Sequence, residues 1–446
     1  MTKLIAKNVK RALLLFLLVL TASILVSCFT GGSEIIYSKN DLTDNIIGET
    51  DLKKDSVSEY LDAWSFPLFS ASRLSEVEDI FEDHFYKELP SSYEAASLTA
   101  ARFIDSYYDK TDLSDKEAVT DALITCYVDV VGDKYSVYRT PEEYDDYSFN
   151  MSGNTGGIGV TVTQSEDGLI EVLETTEGGS AAEAGILAGD RICKIDGKTV
   201  AELGGYSKAT DCITGELDTY VEIGVLRGEE ELSFSVIRKV IPQKSVLYAF
   251  DEEAGIGYIQ IKTFKSNTFE QFREAIDYME ENGARGVIYD LRSNLGGYLS
   301  AVEKMLSYIA PKGTTLLTFS NDYSAPYVAK DSHTYLVPSV VLCNGNTASA
   351  AEVFTAGIRD VSDMGYFEAS IVGTTTRGKG IMQNTYHLSG GASLTLTVAY
   401  YNPPSGKNYH EVGITPDLTV EAVSGTDAQF EAAYDELCRL LQDKAA

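Results

Sequence analysis

Ser349 and Lys379 are the residues of this chain whose types and settings best suit nucleophilic chemistry. Ser349 lies in Asn344-Gly-Asn-Thr-Ala-Ser-Ala-Ala-Glu352, after an apolar run that reads as a buried strand and at the opening of a helix. A hydroxyl there is held on a rigid turn, and helix N-terminal amides favour negative charge developing beside it. Taken alone, a serine in this place more often caps a helix than attacks a substrate. No Gly-x-Ser-x-Gly elbow is present, and none of the four histidines offers a recognisable partner. Lys379 does. It stands between Gly378 and Gly380 in Gly373-Thr-Thr-Thr-Arg-Gly-Lys-Gly-Ile-Met-Gln383. Flanking glycines let the backbone turn tightly and aim the amine inward. Burial disfavours the charged form of a lysine, and a neutral amine can take a proton from a hydroxyl. Gln383, four residues on, can accept from the amine and fix its direction. Standing alone, this motif would read as a glycine-rich hairpin with an exposed lysine.

A second chemistry is recognition. In Gly156-Gly157-Ile158-Gly159-Val160, glycines allow successive amides to converge on an anion, a nest suited to a C-terminal carboxylate. The strand that follows can pair with a peptide backbone along its edge. Alone the loop would be a plain hairpin turn. Further on comes Ala184-Gly-Ile-Leu-Ala-Gly-Asp-Arg-Ile192, and with both segments the stretch 150–240 resembles a PDZ domain of the bacterial protease type.

The elements that must position these residues divide the chain. Its 446 residues carry a formal charge of -31. That balance argues against nucleic acid, which needs Lys and Arg against its phosphates, and against adhesion to anionic lipid through surface charge. Lys3, Lys7, Lys10 and Arg11 precede an apolar run from Ala12 to Val26 that ends in Leu25-Val-Ser-Cys28. This is the layout of an export signal over 1–27, too short for a membrane-spanning helix. The tetrapeptide resembles a bacterial lipobox, which makes Cys28 the lipidated first residue of an exported body more acidic than the full chain. Residues 28–50 read as a tether and 51–149 as a helical region. Residues 241–425 read as a core of strand–loop–helix units, with Gly286–Leu291 and Val337–Cys343 as buried strands. Phe269, Phe272, Ile276 and Met279 mark one face of a helix, with Thr268 and Gln271 placed to cap its start. Residues 426–446 read as a C-terminal helix. The fold class is α/β (α+β), multidomain, with a mixed-sheet core. The remaining cysteines, Cys126, Cys193, Cys212, Cys343 and Cys438, form no zinc or C-x-x-C spacing and read as free thiols. No metal or cofactor is expected.

From about Asp133 to Val420 the motifs and their order resemble the carboxyl-terminal processing peptidases, also called tail-specific proteases. The matching segments are Asp133–Tyr144, Asp290-Leu-Arg-Ser-Asn-Leu-Gly-Gly297, Asn346–Glu352, Gly378–Gln383 and Pro404–Asp417. The resemblance implies a mixed-sheet α/β peptidase core with Ser349 as nucleophile, Lys379 as general base and Gln383 orienting the lysine. It implies an oxyanion hole from amides of Gly296 or Gly297 and of Ala350, and a structural role for Asp360. The sequence departs from the family pattern at Ala351, at Leu295 where proline is usual, and in a Ser349-to-Lys379 interval about five residues longer than expected. The excess falls in Val361–Glu368. Expected partners are proteins or peptides with free C-termini and the membrane, through lipid on the extracytoplasmic face, without nucleic acid. The N-terminal helices and the C-terminal helix are candidate contacts for a homo-oligomer. The rival reading is an inactive, lipid-anchored peptide-binding scaffold, against which the Ser349, Lys379 and Gln383 set argues.

Overall fold

The computed structural model describes residues 53–176, 178–320 and 324–443. The expected export signal, the tether over 28–50 and Cys28 lie outside the described residues. Helices α1 (Val57–Ala63), α2 (Ala71–His84), α3 (Ser92–Ser106) and α4 (Lys116–Val131) come first. They begin after Ser56, Ser70, Ser91 and Asp115. Asp115 accepts from the amides of Glu117 and Ala118, donors that a helix start otherwise leaves open. Gly132 ends α4 in the left-handed region. Strand β1 (Val137–Arg139) and helix α5 (Pro141–Met151) follow, the latter opened by a Thr140/Glu143 capping box.

The next unit holds β2 (Asn154–Gly157), β3 (Val160–Gln164), β4 (Ile170–Thr175), α6 (Ser180–Ala184), β5 (Arg191–Ile195), β6 (Lys198–Thr199), α7 (Tyr206–Ile213), β7 (Tyr220–Arg227) and β8 (Glu230–Ile237). Its sheet runs β3-β4-β5-β7-β8, with β6 on β5, so β3 is an edge. Ile170, Val172, Ile192, Val221, Ile223 and Val225 form a core of its own. The expected turn at Asp196-Gly197 is present, both residues at positive φ, the backbone a two-residue hairpin of the primed type needs. Strand β9 (Lys239–Pro242) pairs with β2 and leads out of the unit.

The rest of the chain comprises β10 (Val246–Asp251), β11 (Ile256–Ile261), α8 (Thr268–Glu281), β12 (Gly286–Asp290), α9 (Leu299–Ile309), β13 (Thr315–Phe319), β14 (Tyr327–Val328), β15 (Ser339–Cys343), α10 (Ala350–Asp363), β16 (Ala369–Gly373), β17 (Ile381–His387), β18 (Ser393–Asn402), β19 (Leu418–Thr419) and α11 (Ala428–Asp443). One sheet runs β10-β11-β12-β15-β16-β19. Only its β10–β11 pair is antiparallel, so the sheet is mixed, as expected. Side-chain alternation splits it between two layers. Val287, Tyr289, Val341 and Ile371 pack with Phe272, Val302, Leu306 and Phe354 of α8, α9 and α10. Ile288, Val340, Leu342 and Val372 pack with Ala433 and Leu437 of α11. Burial on both faces is why β12 and β15 read as unbroken apolar runs. Each such side chain contributes about 1.5–3 kcal/mol.

A second sheet joins β1, β18, β13 and β14, with β17 paired to β18. The N-terminal helices bury Leu74, Phe81, Phe103 and Leu123 against its Leu394, Leu396 and Val398. The hairpin that follows Lys379 is therefore backed by the N-terminal region. The start of α8 differs from the expected cap. Asn267 precedes the helix, and Thr268 accepts from the Lys265 amide. Gln271 reaches across to the amides of Ser245 and Val246, pinning α8 to the start of β10. Among the described residues no helix is long and apolar enough to cross a membrane. The five cysteines found there are free thiols.

Candidate active site

Three loops meet beyond the C-terminal ends of the parallel strands β12, β15 and β16, where open α/β sheets place their ligands. Thr347 joins the first two: its hydroxyl donates to the Leu291 carbonyl at 2.8 Å and accepts the Asn344 amide at 2.9 Å. The Ala348 amide donates to the Asn294 carbonyl, and the Arg377 amide of the third loop to the Thr347 carbonyl, at 2.9 and 3.0 Å. Ser349 sits at the crossing, as the residue that precedes α10. Its φ of 58° and ψ of -121° lie where a residue with a side chain is strained, at a cost of about 1–3 kcal/mol. That backbone turns the chain sharply from β15 into α10.

Glu352 holds this turn. Its side chain is fully buried and accepts four hydrogen bonds. Oε2 takes the amides of Ser349 and Lys379, at 2.9 and 2.7 Å. Oε1 takes the Gly378 amide and the Thr376 hydroxyl, at 2.7 and 2.5 Å. A buried carboxylate demands such partners, so the Ser349 turn and the Lys379 loop are fixed to one another through a single atom. Gly378 has φ 82°, and a Cβ there would lie 2.8–3.1 Å from the amides of Gly413, Val412 and Glu411. Only glycine permits this approach.

Lys379 Nζ donates to Gln383 Oε1 at 2.7 Å, and Gln383 Nε2 donates to the Tyr135 carbonyl at 2.5 Å. The Tyr401 hydroxyl donates to the Lys379 carbonyl at 2.8 Å. Burial pulls the Lys379 amine below the ordinary lysine value; Asp133 opposes this, Arg377 adds to it and Glu352 opposes it.

The Gly-Gly loop lies against Ser349. A Cβ on Gly296 would stand 2.9 Å from the Ser349 Cβ and 3.0 Å from the Ala350 nitrogen. The Gly296 amide itself is taken by Asn294 Oδ1 at 2.8 Å. Asn294 is wholly buried and also donates to the Ile261 carbonyl. It stiffens the loop from within, while Leu295, where the related pattern has proline, is 64% exposed. The amides of Gly297 and Ala350 have no acceptor among the described residues. Asp360 is buried and accepts the Ser405 amide at 2.7 Å, anchoring the segment after β18. Val361–Glu368, between Ser349 and Lys379, covers the last turn of α10, which ends at Asp363, and the residues leading to β16 at Ala369.

In the unit formed by β3–β8, Gly156 and Gly157 belong to the β2–β9 ladder. Ile158 and Gly159 follow with amides that have no acceptor among the described residues. Gly159 has φ 78°, and Val160 begins the edge strand β3. Tyr206, at the start of α7, donates its hydroxyl to the Val162 carbonyl of β3 at 3.3 Å. The start of α7 thus lies beside the β3 edge.

The relatives accord with this architecture. Residues 255–420 match Peptidase family S41, and residues 156–237 match the PDZ domain. The carboxy-terminal processing protease CtpA of Bacillus subtilis is 31% identical over 334 residues, spanning 74% of this chain and 69% of that protein. The chain belongs to peptidase family S41. A carboxyl-terminal-processing protease of Synechocystis is 31% identical over 312 residues, 67% of this chain and 72% of that one. A putative S41 protease from Bacteroides fragilis shares the fold, with a TM-score of 0.51 at 16% identity over 82% of this chain and 97% of that one. The S41 chain is accordingly a C-terminal processing serine protease with a PDZ domain, as its motifs led one to expect.

Glu352, Asn294, Tyr401 and Tyr135 bond to the Ser349, Gly-Gly and Lys379 segments, and sequence reasoning did not single them out. A glutamate three places after a helix-opening serine reads as an ordinary capping partner, which conceals its bonds to the Lys379 loop. Tyr135 and Tyr401 arrive from distant parts of the chain. Replacing Glu352 by Gln puts an NH₂ where two donors now find an oxygen. Urea unfolding should then show a loss of about 2–4 kcal/mol, with peptide hydrolysis down at least tenfold; wild-type values for both would remove Glu352 from this role.

Proposed function

We propose that this peptidase is a lipid-anchored, extracytoplasmic endopeptidase that captures protein C-termini in its PDZ domain and cleaves them with Ser349, Lys379 and Gln383. The observation that carries the reading is the Glu352 carboxylate, whose one oxygen accepts the amides of both Ser349 and Lys379. Lys379, its amine held below the ordinary lysine value by burial, takes the Ser349 hydroxyl proton when in its neutral form, as the oxygen attacks the peptide carbonyl. The Gly297 and Ala350 amides receive the oxyanion, a contribution of about 3–4 kcal/mol per donor. The Lys379 ammonium then returns the proton to the departing amine, leaving an acyl group on Ser349. Water, deprotonated by the same amine, releases it. Gln383 keeps the amine aimed throughout. At the PDZ domain, the Ile158 and Gly159 amides receive the terminal carboxylate and the β3 edge adds the peptide as a further strand.

Hydrolysis of a peptide with a free C-terminus tests the set. Ser349→Ala and Lys379→Met should abolish cleavage, and a carboxamide-ended peptide should be cut more slowly by the wild type. Activity should rise with pH along a limb centred below the ordinary lysine value. The same burial has a stability consequence. A lysine whose folded value is lowered binds fewer protons folded than unfolded, so it is destabilising below its folded value. That penalty fades as pH rises to the unfolded value. Lys379→Met should therefore raise the melting temperature at neutral pH while silencing the enzyme. Hydrolysis that survives either substitution contradicts the assignment.

Membrane attachment rests on Cys28 and the apolar run before it. Lipid on this residue anchors a body whose acidic surface is repelled by anionic headgroups. Cys28→Ser should move the protein from the membrane fraction to the soluble fraction or leave it unprocessed; unchanged retention with normal processing would count against lipidation.

A further inference from the structure

Tyr135 lies in the turn between α4 and β1, within the N-terminal region. It nevertheless meets the candidate base in two ways. Its carbonyl accepts Gln383 Nε2 at 2.5 Å, and its ring centroid lies 5.0 Å from Lys379 Nζ. The first contact decides which way the Gln383 amide points. A backbone carbonyl can only accept, so Nε2 must face it, and Oε1 is left facing Lys379. The second contact falls within the ~6 Å over which a ring face attracts a cation. It matters at one moment, when Lys379 takes the Ser349 proton and becomes an ammonium in a half-buried site. An aromatic face favours that charge and does little for the neutral amine. The turn is held firmly: Asp133 is buried and accepts from Ser136 and from Thr397 of β18, each at 2.6 Å.

We propose that Tyr135 is a positioning residue for the base, its ring face receiving the ammonium formed on Lys379 while its carbonyl locks Gln383 in place. This rests on the reading of Lys379 as the base. It extends the working site into the N-terminal region, outside both matched family segments. The other charges facing Lys379 are Asp133 and Glu352, which favour the ammonium, and Arg377, which opposes it. The ring itself is approached by Lys134 Nζ at 4.8 Å and by His410 at 6.3 Å. All of these persist when only the Tyr135 side chain is changed.

The test is the pH dependence of kcat/KM for the full chain carrying Tyr135→Phe or Tyr135→Leu. Leucine keeps an apolar wall and the main-chain carbonyl but offers no ring face. The Phe variant should follow the wild type. The Leu variant should lose about 3- to 30-fold in plateau kcat/KM, and its acid limb should move to lower pH by about half to one unit. The downward direction follows because the ammonium has lost a partner. Tyr135→Met, a second ringless variant, gives the same comparison should the Leu variant not fold. An unmoved acid limb, or a Phe variant as impaired as Leu, overturns the proposal and leaves Tyr135 a packing role. Lys379→Met separates this outcome from failure of the base assignment. If it still hydrolyses peptide, the base is elsewhere; if it is inactive while the ringless variants keep the wild-type profile, only the role of Tyr135 fails.

Discussion

A charge taken out of water must be compensated where it comes to rest, and at Glu352 that requirement organises the whole centre. Its carboxylate has no solvent exposure, and four donors from two loops converge on it. Three of them are backbone amides or lie beside backbone that must keep its place: Ser349, Gly378 and Lys379. The turn that presents the serine and the loop that presents the lysine are therefore set by a direct contact and not by the length of chain between them. The strained backbone of Ser349 is stabilised by the same contact, because its amide is one of the four donors.

Around this clamp each layer of the fold has a definable task. The parallel strands bring three loops to one edge, and Thr347 and Asn294 tie those loops together with side-chain bonds to backbone. Asn294 also divides the Gly-Gly loop, occupying the Gly296 amide, while that of Gly297 has no acceptor among the described residues. The N-terminal helices back the β17–β18 hairpin with a continuous apolar cluster, and through Tyr135 they reach Gln383. The β3–β8 unit has a separate core, connected through the β2–β9 ribbon. In the proposed reading, recognition of a tail and cleavage of a bond fall to bodies with independent cores.

Much of this was legible in the amino-acid order, for specific reasons. β12 and β15 announce themselves because both faces are buried and no polar residue interrupts them. The hairpin at Asp196-Gly197 is visible because few residue pairs tolerate two positive φ values. The motifs around Ser349 and Lys379 stand out because glycine is required where backbone meets backbone, as Gly378 meets residues 411–413. What stayed hidden depends on contacts between distant segments. Gln271 looked like a cap for its own helix and instead binds the start of β10. The bracing of the Gly-Gly loop by buried Asn294 leaves no periodic signature. The two glycines at 296 and 297 were equivalent as letters, and only the Asn294 bond distinguishes their amides. Glu352 looked local because its nearest partner is local; three of its four donors are not.

The most direct measurement is a single turnover on an ester of a peptide with a free C-terminus, quenched in acid and followed by mass spectrometry. An acyl group should appear on the peptide containing Ser349 at a rate that climbs as Lys379 loses its proton. In folded Glu352→Ala protein, with the serine intact, that acylation should be at least tenfold slower. An adduct on another residue, or wild-type acylation without the Glu352 carboxylate, would contradict a site built on that clamp.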